Sequence, residues 1–121
     1  MIQLRSVLKL ADNSGAKAIH VIGIPGSNKK IAGLGDIVNA VVNRADPNGV
    51  VQDSEKVRAV IVRVRKEEGR RDGSYVRFDD NAAVIIDALG NPRGTRIFGP
   101  IAREIRDAGF ARIASLAEEV V

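Results

Sequence analysis

The chain of 121 residues has no cysteine. That excludes disulfides, thiolate metal sites and cysteine nucleophiles together. It has no tryptophan, one tyrosine and three phenylalanines, so its core must be aliphatic, built from Val, Ile, Leu and Ala. Aromatic platforms for single-stranded nucleic acid are scarce for the same reason. His20 is the only histidine. With no second imidazole and no thiol to complete a site, it reads as a core or surface side chain. No apolar run approaches the ~18 residues that span a bilayer. Arg5 and Lys9 interrupt the apolar residues of the N-terminus, which leaves no signal-peptide core. The expectation is a protein without a membrane partner, kept in the cytoplasm or in an organelle that synthesises it.

What is present is a normal apolar fraction, 45%, and a net charge of +4. The length suits one domain over residues 1–121, with a barrel over about 1–98 and short helices over about 100–117. The placement of charge says more than its sum. Between Lys56 and Lys66 stand Lys56, Arg58, Arg63, Arg65 and Lys66, with no acid. A local basic stripe implies a polyanionic partner. An anionic membrane would call for a basic amphipathic helix. These cations lie on strand-like sequence, which points to nucleic acid.

The strand signals are short and separated by turns. Val7–Ala11 ends at Asp12-Asn13-Ser14-Gly15, and Ala16–Ile24 ends at Pro25-Gly26-Ser27-Asn28. Ile37–Val42 follows, then Val57–Lys66 as the longest strand, Val76–Phe78 and Ala82–Ile86. Such a series predicts a closed barrel or sandwich. From Ala59 to Val62 both faces of the strand are apolar. From Arg63 on, Arg63 and Arg65 share one face while Val62 and Val64 share the other. The strand should leave the core as an exposed ribbon, turn near Glu68-Gly69 or Asp72-Gly73, and return through Tyr75 and Arg77. Pro100 can open a helix, with Ile101, Ala102 and Ile105 on one face and Gly109 as its stop. Phe110, Ile113 and Leu116 mark a second short helical segment. The reading is mainly β: a small barrel with a basic β-ribbon and one or two short C-terminal helices.

Function follows from the cations. Arg63, Arg65, Lys66, Arg70, Arg71 and Arg77 would meet phosphate oxygens; the bland alternative is a solvated hairpin whose arginines pair with Glu67, Glu68 and Asp72. Asn13 and Ser14, followed by Lys17, form a polar turn that can offer donors to RNA phosphate or 2′-OH groups, or simply close a hairpin. Lys29 and Lys30 stand in a Gly-Ser-Asn loop as further phosphate contacts or ordinary loop charge. Gly94-Thr95-Arg96-Ile97-Phe98-Gly99-Pro100 reads either as a constrained loop or as a partner surface around Thr95 and Arg96. Asp79-Asp80-Asn81 is more often a turn than a Mg²⁺ site. Gly33-Leu34-Gly35 is no dinucleotide fingerprint, since the third glycine position is Val38. No nucleophile pair, zinc set or phosphate loop is present, so neither an enzyme nor a cofactor or metal is expected.

Several segments carry a resemblance: Ala59-Val-Ile-Val62, Asp72-Gly73, Phe78, Asn81 and Val84-Ile85, with Ala11–Lys17, Ala32–Asp36 and Ala114–Val120. In this order, across the whole chain, they resemble the universal family of large-subunit ribosomal protein fourteen in its bacterial form. The resemblance implies a five-stranded barrel with short C-terminal helices and binding to large-subunit (23S-type) rRNA. It implies ribosomal proteins three and nineteen as neighbours, and a share in bridges to the small-subunit rRNA. It also places the Thr95–Arg96 region on the face toward the small subunit, where a ribosome-silencing factor docks in the family. Glu67-Glu68-Gly69 is less basic than related ribbons, and Lys29-Lys30-Ile31 replaces arginines and an aromatic. Gln52-Asp53-Ser54-Glu55 is unusually acidic and has no functional reading. The alternative to a ribosomal role is an RNA-binding barrel regulator acting outside the ribosome. A metal-dependent enzyme built on Asp79 and Asp80 ranks third.

Overall fold

The computed structural model describes residues 2–25 and 31–121. Its strands are β1 (Ile2–Gln3), β2 (Val7–Leu10), β3 (Ala16–Gly23), β4 (Ile31–Ala32), β5 (Ile37–Ala45), β6 (Lys56–Arg63), β7 (Glu68–Gly69), β8 (Tyr75–Val76), β9 (Ala82–Ile86), β10 (Pro100–Ile101) and β11 (Glu119–Val120). The helices are α1 (Glu104–Asp107) and α2 (Ala111–Leu116). The order β2-β3-β5-β6-β9 closes into a barrel. Closure comes from a parallel pairing of β2 with β9, Lys9 opposite Ala82 and Leu10 opposite Ala83.

The register explains the barrel's filling. Leu8 faces Ile19, Ile19 faces Val42, and Val21 faces Ala40. Val38 faces Ala59, Ala59 faces Ile85, and Ile61 faces Ala83. All are buried. Alternating small and large aliphatic side chains fill so narrow an interior without aromatics. The other face of β6 and β9 is apolar too, because the C-terminal segment covers it. Val60, Val62 and Val84 are buried, as are Ile101, Ala102, Ile105 and Ile113, and Ala102 N–H donates to the Val62 carbonyl at 3.2 Å.

Three boundaries differ from expectation. The longest strand is β5, nine residues; β6 stops at Arg63. A register shift against β9 between Ile61 and Arg63 breaks the ladder there. The helix expected from Pro100 begins at Glu104 instead. Pro100 and Ile101 pair in parallel with Glu119 and Val120, so the returning C-terminus claims the backbone groups a helix would have used. Gly109, with φ +99°, does follow the end of α1. The ribbon is present but short. Glu68 pairs with Val76 and Gly69 with Tyr75. The turn falls at Arg70–Ser74, with Gly73 N–H donating to the Arg70 carbonyl.

Candidate nucleic-acid interface

The arginines of the stripe divide into two kinds. Arg63 leaves the barrel at the end of β6 and turns inward, its side chain 12% exposed. Its Nη1 donates to the carbonyls of Phe98 at 2.9 Å and Pro100 at 3.3 Å. Its Nε lies 3.0 Å from Asp80 Oδ1, an ion pair without hydrogen-bond alignment. Arg63 therefore fastens the 98–100 segment to the barrel, and Asp80 is its counter-ion. Arg70 is similarly engaged. It makes a two-pronged pair with Glu104, Nη2 to Oε1 at 2.9 Å and Nε to Oε2 at 3.3 Å, and Nη2 also donates to the Val121 carbonyl. These bonds fold the ribbon tip onto α1 and the C-terminus. Both side chains are bound within the molecule.

Arg65, Lys66, Arg71 and Arg77 are exposed. Arg65 is positioned through its backbone, whose N–H donates to Asn81 Oδ1 at 2.8 Å. The Asn81 carbonyl accepts from Lys9 N–H at 3.1 Å. One asparagine thus ties Lys9 and Arg65 to the same end of the barrel. Lys9 escaped the sequence reading. The signal was there in Val7-Leu8-Lys9-Leu10, where Leu8 points inward and Lys9 outward. Arg77 keeps a long contact to Glu67, 3.9 Å, with both side chains mostly exposed. Such a pair is worth little in water and is readily exchanged for a phosphate. At the tip, the Ser74 hydroxyl and amide donate to Asp72, which holds its carboxyl below the usual range.

The stripe is also broken along its length. Lys56 and Arg58 are exposed at the start of β6. The buried Ala59–Val62 run separates them from Arg65 by about 20 Å of strand.

The turn at 12–15 and the loop at 94–96, separate in the sequence, form one surface. Asn13 Oδ1 accepts from the N–H groups of Thr95 and Arg96 at 2.8 and 2.9 Å, and Asn13 Nδ2 donates to Thr95 Oγ1 at 2.9 Å. Ser14 is buried, its hydroxyl donating to Asp12 Oδ1 at 2.7 Å. Asp12 Oδ2 accepts from Ile85 N–H at 3.0 Å. Burial raises the Asp12 carboxyl above its ordinary value, against the lowering effect of those bonds. Gly15, at φ +97°, lets the turn pass close to Gly49; a Cβ there would stand 2.6 Å from Gly49 Cα. Ser14 thus supports the turn from within, and Asn13 orders the 94–96 loop. Lys17, Thr95 and Arg96 remain exposed, with the Arg96 guanidinium 5.6 Å from the Phe98 ring centre. Lys29 and Lys30 lie outside the described residues.

The acidic segment at 52–55 has a structural account. Asp53 Oδ1 accepts from Ala45 N–H at 2.6 Å. Glu55 accepts from Gln52 N–H and from Arg93 Nη1 at 2.8 Å. Its carboxyl is held below its usual value, chiefly by Arg93. These carboxylates close the β5–β6 connection and tie it to Arg93 in the segment after β9. Among the described residues, no group of His, Asp and Glu is arranged to hold a metal ion, and no helix is long and apolar enough to cross a membrane.

Comparison with known proteins agrees with this geometry. The family model for ribosomal protein L14p/L23e matches residues 1–121. The large ribosomal subunit protein uL14 of Aquifex aeolicus (strain VF5) is 54% identical over 121 residues, covering all of both chains. That of Hydrogenobaculum sp. (strain Y04AAS1) is 53% identical over the same full length. The chain belongs to the ribosomal protein L14p/L23e family.

Proposed function

We propose that this chain is a structural constituent of the large ribosomal subunit in the cytoplasm and binds its rRNA without catalysis. The observation that carries the reading is the family match over every residue of the chain. The exposed cations Lys9, Lys17, Arg65, Lys66, Arg71 and Arg77 support it, presented by the barrel and its ribbon. Their role is to neutralise phosphates and hold folded RNA in place, with little base readout. Each phosphate neutralised releases counterions, so binding should weaken steeply with salt.

The surface built from Asn13, Thr95 and Arg96 is the second contact region. By family membership we assign it to the small-subunit rRNA at intersubunit bridges, and to a ribosome-silencing factor where one exists. Ribosomal proteins three and nineteen are the protein neighbours in this reading. Co-sedimentation of tagged protein with ribosomal subunits across a salt series tests it. Retention in the large-subunit peak at moderate salt and release at high salt is the expected result. Migration as a free small protein would overturn the ribosomal role and leave an RNA-binding regulator acting elsewhere.

A further inference from the structure

Tyr75 is the one aromatic that the fold leaves unused. Phe78 and Phe110 pack against the core. Phe98 lies beneath the Arg96 guanidinium. Tyr75 is 74% exposed. In a chain so poor in aromatics, an uncovered ring beside cations needs a reason.

The ribbon supplies the geometry. Tyr75 lies in β8 and Arg77 just beyond it; both are exposed and line the same hollow, while Val76 between them is buried. Tyr75 pairs with Gly69. The ring lies against Gly69, where a Cβ would make an ordinary contact at 3.4 Å from Tyr75 Cε1. Arg77 Nη1 lies 3.9 Å from Glu67 Oε2, with both side chains exposed. Glu67, Tyr75 and Arg77 line an open hollow of about 400 Å³, room enough for a nucleobase. Lys66 and Arg71 are exposed on the flanking residues.

We propose that Tyr75 is a base-stacking residue: the hollow at Tyr75, Arg77 and Glu67 takes one unpaired base of the large-subunit rRNA. The base lies on the tyrosine ring, and Arg77 meets the adjoining phosphate. Every base has a π-face, so the contact is tolerant of sequence. The surrounding cations favour a polyanion over a neutral protein segment. This proposal rests on the rRNA-binding role above and adds to it a point at which the protein touches a base instead of the backbone.

The test is binding of the full chain to a transcript of the large-subunit rRNA across a salt series, for wild type, Tyr75→Phe, Tyr75→Ala and Arg77→Gln. Both positions are on the surface, and circular dichroism checks that each variant folds. Stacking predicts that Tyr75→Phe binds as wild type and Tyr75→Ala binds about 5- to 160-fold more weakly. Tyr75→Ala should keep the wild-type salt slope, whereas Arg77→Gln should reduce that slope by about 0.7–0.9. Ultraviolet cross-linking should map to Tyr75. Wild-type affinity in Tyr75→Ala would overturn the stacking site and leave the rRNA-binding role standing. Unchanged rRNA affinity with weaker retention in assembled subunits would assign Tyr75 to a protein neighbour instead. Failure of the wild type to bind the transcript would overturn both readings.

Discussion

Arg63 and Arg65 are two positions apart in one run of alternating cations, and their surroundings give them opposite tasks. Arg63 is nearly enclosed and satisfies two carbonyls and Asp80. Arg63→Ala should therefore cost about 2–4 kcal/mol, read as a lower denaturant midpoint, because it leaves a partly buried carboxylate and two carbonyls unpaired. Arg65→Ala should change stability by less than about 0.5 kcal/mol and lower the salt slope of rRNA binding by about 0.7–0.9. Asp12 makes a prediction about pH. Burial raises its carboxyl in the folded state above the ordinary carboxylate value. Its contribution to stability is thus fully present below about pH 3.8 and is lost as pH rises through the raised folded value. Glu55 acts in the opposite sense. Its lowered carboxyl contributes above the ordinary glutamate value, and that contribution disappears as pH falls through the folded value. Replacing Asp12 with Asn should remove the first component from a stability-versus-pH profile. An unchanged profile would mean that Asp12 does not titrate with folding. Residue identity alone named these side chains but could not rank them, since the ranking is set by burial and by partners far along the chain.

At the scale of elements, the ribbon and the loops are held by a few long-range polar contacts. Arg70 and Glu104 are 34 residues apart and join the ribbon tip to α1. A double-mutant cycle on this pair should give a coupling of about 1 kcal/mol. Either single substitution should speed amide exchange at Arg70–Ser74 while leaving β5 and β6 protected. Asn13 is the corresponding tie for the 94–96 loop. Strands β2, β3, β5, β6 and β9 were legible, because turn residues bound each one and the alternating pattern of Val7–Leu10 shows which side faces inward. The early end of β6 was not legible. Val64 and Arg65 continue the alternation perfectly, and only the register shift against β9 stops the ladder. Nor was the helix start. Pro100 and Ile101 are equally compatible with a first helical turn and with a strand, and β11, 18 residues downstream, decides between them.

At the scale of the whole molecule, the barrel makes the surface possible. Ile61 lies fully buried opposite Ala83. Ile61→Ala should cost about 2–5 kcal/mol, with thermal unfolding of the barrel and loss of rRNA binding moving together. Binding that outlasts unfolding of the barrel would show that the cations act without the scaffold. The sequence by itself determined the class of fold, the aliphatic core, the absence of thiol chemistry and the basic character of the surface. These depend on composition and on short-range periodicity, which are local properties. Only the tertiary structure decided which cations face outward. It also united Asn13 with Thr95 and Arg96, turned Arg63 and Arg70 inward, and left Tyr75 uncovered. Those outcomes depend on barrel closure and on the return of the C-terminus, which bring together groups 34 to 83 residues apart. No local pattern encodes a contact of that range.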